Sequence, residues 1–129
     1  MLIKPITGFF LLLALAGHVY GDTCPEPSTF NPNSNGFTAT DKSGRTWEGE
    51  YWLPEKPSFN FESATYITEV EGEDGLPKTV SQMSCRYGNI AMVLDNVTNW
   101  KATSEAWSDS KHCTKSISEC SFAMGKVFP

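Results

Sequence analysis

Residues 83–94 alternate apolar and polar positions on either side of a two-residue break, the pattern of two strands joined by a tight turn. Gly88 can take the positive φ that a type II′ turn needs at its first central position, and Asn89 suits the second. Counting outward, Tyr87 falls opposite Ile90, Cys85 opposite Met92 and Met83 opposite Leu94, so six apolar or sulfur-bearing side chains share one face. Ser84, Arg86, Ala91 and Val93 take the other. Because turn chemistry and facing pattern agree, the register is specified: a slip of one residue would reverse every side chain.

The same reading predicts a second hairpin over residues 37–51. Asp41 and Gly44 suit the first and last positions of a type I turn with a bulge at the glycine, which pairs Asp41 with Arg45, Thr40 with Thr46 and Ala39 with Trp47. Trp47, Gly49 and Tyr51 then share a face with Phe37 and Ala39, and Glu48 and Glu50 point the opposite way. Beyond Trp52, Pro54 and Pro57 end the strand because neither can donate to a ladder.

Residues 59–70 are dense in β-branched and aromatic side chains and predict a long strand. Its apolar parity changes between Phe61 and Ala64, which predicts a bulge near Glu62 and Ser63. A turn at 71–75 leads through 78–82 into the 83–94 hairpin, giving three or four consecutive antiparallel strands. The apolar face of that hairpin has its partner in the 37–51 hairpin. Residues 22–35 are rich in Pro, Asn and Ser and form an irregular lead-in pinned by Cys24, with Phe30 as its one sizeable apolar anchor. Residues 95–100 read as a loop. From 100 to 113, Trp100, Ser104, Trp107 and Lys111 fall at helical spacing, although the Ser and Thr content favours turns; Cys120, Phe122 and Met124 alternate as a short last strand. The expected fold is mainly β, an antiparallel meander curling into a small sandwich or open barrel, with at most one short helix and two disulfides.

The first residues change the picture of where the chain works. Lys4 precedes an uncharged apolar run over residues 9–16, too short to span a bilayer, followed by small residues. This is the form of a secretory signal, with cleavage expected after Gly21 and Ala16 or Gly17 as earlier sites. Residues 1–21 are therefore read as signal peptide, leaving 129 − 21 = 108 residues (22–129) for a single disulfide-bonded β-rich domain without membrane insertion. All four cysteines, Cys24, Cys85, Cys113 and Cys120, lie in that part, and an even count in an exported chain implies two bridges. Three pairings are possible; Cys24 with Cys120 and Cys85 with Cys113 is the one expected, since it would tie both chain ends to the rest. Neither cofactor nor metal is expected: no Cys-x-x-Cys occurs, and His112 is the only histidine beyond the signal.

The formal net charge is −5, and loss of Lys4 with the signal makes it −6. Such a balance disfavours nucleic acid and anionic membrane as partners. Residues 69–74 gather Glu69, Glu71, Glu73 and Asp74, which could attract Ca²⁺ but lack the regular Asp-x-Asp-x-Asp-Gly pattern and read as a solvated turn. Nucleophilic catalysis would need a base held by a third group, and His112 lies in a Ser/Lys-rich loop beside a cysteine, where solvation is the simpler reading. Glu48 and Glu50, on one strand face near Trp47, Tyr51 and Trp52, could serve glycoside chemistry or simply guard a strand. Among the aromatics, Trp47 and Tyr51 are assigned to the core, and Trp52 and Trp107 to a contact surface. Asn96-Val97-Thr98 is a glycosylation acceptor, relevant in a eukaryotic secretory route.

The ordered set Cys24-Pro25, Trp47-x-Gly49, Phe61 with Ser63-Ala64, Gly75-Leu76, Cys85-x-Tyr87, Trp100, Cys113 and Cys120-x-Phe122 resembles an uncharacterised family of small exported bacterial domains. The resemblance implies a bacterial, extracytoplasmic, disulfide-bonded β-rich domain, and it carries over no catalytic residue. The expected function is thus a secreted or periplasmic, non-enzymatic binding module for a protein or glycan, with Trp52, Trp107, Glu48 and Glu50 as binding residues. A small hydrolase acting on cell-wall or host polymers is the alternative, and an inhibitor of a cationic enzyme such as lysozyme a further one.

Overall fold

Turn chemistry places both hairpins in the registers that their patterns specify. The computed structural model describes residues 21–51 and 59–125, with Tyr51 described by its backbone alone. The expected signal except Gly21, the Tyr51 side chain, Trp52 and the break at Pro54 and Pro57 lie outside the described residues.

The strands are β1 (Asn31–Pro32), β2 (Gly36–Thr40), β3 (Thr46–Tyr51), β4 (Phe61–Glu71), β5 (Pro77–Tyr87), β6 (Ile90–Asp95), β7 (Lys101–Ala102), β8 (His112–Cys113) and β9 (Phe122–Ala123), with one 3-10 turn at Pro27–Thr29. Seven of them form an open antiparallel sheet in the order β1-β2-β3-β6-β5-β4-β8, and β7 pairs with β9 in a separate ribbon. In the β5–β6 hairpin Tyr87 pairs with Ile90, Cys85 with Met92 and Met83 with Leu94. Gly88 takes φ 60 at the turn. In the β2–β3 hairpin Ala39 pairs with Trp47 and Thr40 with Thr46, and Gly44 sits at φ 83. The register between β4 and β5 shifts between Phe61 and Ser63, the expected bulge, which keeps Phe61 and Ala64 on one face.

Two features go beyond the meander. The 37–51 hairpin joins the 83–94 hairpin edge to edge, through Glu48 opposite Val93 and Gly49 opposite Met92, and not face to face. Strands β4, β5 and β6 follow one another, whereas β3 lies beside β6, a Greek-key arrangement. Residues 100–113 form no helix. Ser104 Oγ bonds the Glu119 carbonyl and accepts the Ala106 N–H at 3.2 Å, local bonding of the kind that competes with a helix ladder.

One face of the large sheet is the core. Phe37, Ala39, Trp47, Ala64, Met83, Cys85, Tyr87, Ile90, Met92 and Leu94 are buried on it. The irregular segments cover this face. Phe30 brings the lead-in down, its ring 5.0 Å from Tyr87 and edge-on to it. From the other end Trp100 stacks on Tyr66 at 4.8 Å, and Trp107 meets Trp100 edge-on at 5.0 Å. Asp22, at the beginning of the described residues, is held by Arg45, whose guanidinium lies 3.5 Å from Asp22 and 3.6 Å from Asp41 and donates to the Gly125 carbonyl. Burial pushes the Asp22 carboxyl above its ordinary range, against the pull of Arg45.

The two disulfides are Cys24–Cys85 and Cys113–Cys120, which corrects the expected pairing. Cys85, Ala64 and Cys113 lie in one inward row on β5, β4 and β8. Two strand spacings put Cys85 and Cys113 about 10 Å apart, beyond the ~7 Å that a disulfide can reach between Cα atoms. Cys85 is instead met by the lead-in passing over the sheet, and Cys113 closes on Cys120 through a turn in which Cys120 N–H donates to Ser116. The lead-in has a second fastening, since the buried Tyr87 hydroxyl donates to the Pro25 carbonyl. Tyr87→Phe leaves that carbonyl unsatisfied and is expected to cost about 1–3 kcal/mol in urea unfolding; an unchanged midpoint would show that water replaces the hydroxyl.

Candidate functional site

The opposite face of the large sheet is open, and the strand alternation decides what it shows. Successive pairs align Thr38, Glu48, Val93, Ser84, Thr65 and His112 in one row across the sheet. Gly36, Glu50, Ala91 and Arg86 form the next. Glu48 and Glu50 are exposed, whereas Val93 and Ala91 are half-buried beside them.

At the β2 side this face becomes concave. Asn33 Oδ1 accepts the N–H groups of Asn35 at 2.9 Å and Gly36 at 2.8 Å, a short side chain closing its own turn. Beside that turn lies a hollow of about 670 Å³ lined by Asn33, Ser34, Asn35, Glu48 and Glu50, with Ala91 and Val93 on its floor, and the strand order sets the two glutamates of β3 between the turn and the β6 residues. The approach of β2 to β3 depends on Gly36, where a Cβ would lie 2.0 Å from the Gly49 carbonyl oxygen. Among the described residues neither glutamate has an ion-pair partner. Residues i and i+2 of a strand lie about 7 Å apart on one side of it, so the two carboxylates stand next to each other and do not flank a bond from opposite sides.

Two of the four expected binding residues, Glu48 and Glu50, therefore come together. Trp107 is elsewhere: half-buried over the core face, its indole N–H donates to the Ser121 carbonyl at 2.8 Å. Trp52 lies outside the described residues. Residues 33–35 and the floor residues were not read from the sequence as part of a site, although Asn-Ser-Asn-Gly before a strand is a recognisable turn signal.

His112 is not simply solvated. It is half-buried in β8, its Nδ1 2.7 Å from Thr65 Oγ1. A hydroxyl beside an imidazole is part of a nucleophile–base unit, but among the described residues nothing holds the second ring nitrogen, so the orienting third group is missing. No three Asp, Glu, His or Cys side chains among the described residues are grouped to hold a metal ion. Asp74 of the acidic turn accepts the Leu76 N–H at 3.0 Å. Asn96 is exposed at φ 57. No described helix is long and apolar enough to cross a membrane. Comparison with family models, with curated proteins and with solved structures gives no match.

Proposed function

We propose that this chain is an exported, non-enzymatic binding module that holds a hydroxyl-rich glycan in the hollow beside β3. The observation that carries the reading is the pair of carboxylates, Glu48 and Glu50, without an ion-pair partner among the described residues, in a hollow also lined by Asn33, Ser34 and Asn35 and by the half-buried Val93 and Ala91. Carboxylates accept from sugar hydroxyls, amides both accept and donate, and a small apolar floor receives the C–H face of a ring. Side-by-side carboxylates, with no other acid lining the hollow among the described residues, support binding over hydrolysis. Export is supported by the apolar leader and by the two disulfides, which persist in oxidising compartments; the bacterial setting rests on the family resemblance.

Peptidoglycan and soluble polysaccharides, incubated with the purified domain, provide the test. Retention on one of them is expected, weakened about tenfold in Glu48→Gln/Glu50→Gln, as follows from losing one or two charged hydrogen bonds. Absence of retention on every polymer, or equal retention of the double variant, would sink the reading. Release of reducing ends by the wild-type domain would replace it with the hydrolase alternative.

A further inference from the structure

We propose that the outer edge of β4, over residues 67–71, is a docking edge for an extended lysine- or arginine-rich segment of a protein partner, which adds to the sheet as a further strand. The proposal stands apart from the glycan hollow.

The two strands of the β4–β5 hairpin outrun their neighbours. β6 stops at Asp95 opposite Gln82, and the pairing of the β8 segment with β4 ends where Tyr66 N–H donates to the Lys111 carbonyl at 3.0 Å. Lys111 takes φ 60 and a turn bonded from Ser108 to His112 carries the chain off the edge there. Residues 67–81 thus stand out as a two-stranded arm about 17 Å long on the β4 side. The arm is built to keep its shape. A second register shift falls between Ile67 and Glu69, and at its root the Tyr66 hydroxyl lies 2.7 Å from Ser81 Oγ, which in turn bonds the Val97 carbonyl. At its tip Gly72 N–H donates to Leu76 at 2.8 Å and Gly75 N–H to Gly72 at 2.9 Å.

Only one of the two edges can accept a strand. On β5, Pro77 has no N–H to offer, and the Ser81 carbonyl already takes the Val97 N–H at 3.1 Å. On β4 the tip sets the alternation beyond that register shift: Gly72 N–H donates inward to Leu76 and Pro77, opposite Glu71, has no N–H, so Val70 faces β5 and Glu69 and Glu71 present their backbone groups outward, without a strand partner among the described residues. Charge then selects the occupant. The arm carries Glu69, Glu71, Glu73 and Asp74 against one cation, Lys78, so a second copy of this chain would set acid against acid, whereas a cationic strand is attracted. Leu76 is 63 % exposed at the tip, an apolar contact for whatever lies along the edge.

The probe is a synthetic peptide of alternating lysine and valine, with a glutamate–valine peptide as its opposite, added to the isotope-labelled domain. Amide shifts confined to the arm, slowed hydrogen exchange at Glu69 and Glu71, and at least about tenfold tighter binding of the lysine peptide are expected, the preference fading at high salt. Glu71→Pro, which removes one outward N–H, is expected to abolish binding, Glu71→Gln to retain it, and Glu69→Lys/Glu71→Lys to reverse the preference. Because wild-type exchange at Glu69 and Glu71 is read directly, an unfolded proline variant leaves the test intact. Equal binding of both peptides, shifts centred on the Glu48 hollow, or no binding of either would overturn the proposal.

Discussion

Cys24→Ser/Cys85→Ser is expected to lose about 4 kcal/mol of stability, and Cys113→Ser/Cys120→Ser about 2 kcal/mol, by the loop-entropy relation. The difference follows from sequence separations of 61 and 7 residues, because a cross-link restrains the unfolded chain more the longer the loop it closes. A loss of about 4 kcal/mol is a large share of the ~5–15 kcal/mol that holds a domain folded. The long bridge also fastens the irregular lead-in over the buried Tyr87. Urea unfolding of the two double variants decides the matter: equal losses, or the larger loss at Cys113–Cys120, would mean that strain or residual unfolded structure outweighs loop length.

Trp47→Ala is expected to cost about 3–5 kcal/mol, as large-to-small changes do in a packed core. Trp47 is fully buried at the centre of the β2–β3 hairpin, opposite Ala39. Its indole N–H also donates to Asp41 Oδ2 at 3.1 Å, and the same carboxylate holds the turn through the N–H groups of Ser43 and Arg45. The damage therefore extends from the core to the turn and to Arg45. Trp47→Phe separates the two parts, since it keeps most of the ring volume and drops the hydrogen bond; its loss is expected at about 1–2 kcal/mol. If phenylalanine costs as much as alanine in urea unfolding, the Asp41 bond and not packing is the main contribution.

Both hairpins could be read from the chain because their instructions are local. Asp41, Gly44 and Gly88 set the turns, and period-2 patterning then settles which side chains face the core. The bulge before Ala64 was legible for the same reason, as a change of parity within one strand. Disulfide pairing was not, because it depends on how the lead-in and the 113–120 segment cross the sheet, and neither segment has a period. The aromatic cluster over the core face, Tyr66 with Trp100, Trp107 and Phe122, is of that kind as well: its members come from β4, a loop, a turn and β9. Trp107 looked like a surface residue in a Ser-rich stretch, and only the return of β9 covers it. Of the hollow, the alternation gave the outward pair Glu48 and Glu50, but the approach of residues 33–35 to it required the short β1 to fold back on β2. The part of the β4 edge that has no strand partner among the described residues was hidden for another reason. Its length can be read directly, but an edge is free only relative to where β6 and β8 stop.

The placement of β3 beside β6 also bears on the order in which the molecule assembles. Strands β4, β5 and β6 meet through short connections, so their pairing closes small loops and proceeds quickly, as does the β2–β3 hairpin on its own. The contact of Glu48 with Val93 joins residues far apart along the chain and must wait until both pieces exist. Assembly is then expected to run as two ribbons docking along a single seam. Until they dock, the edges of β3 and β6 are bare, and the outward glutamates of β3 are the charges that keep a bare edge from pairing with the wrong chain.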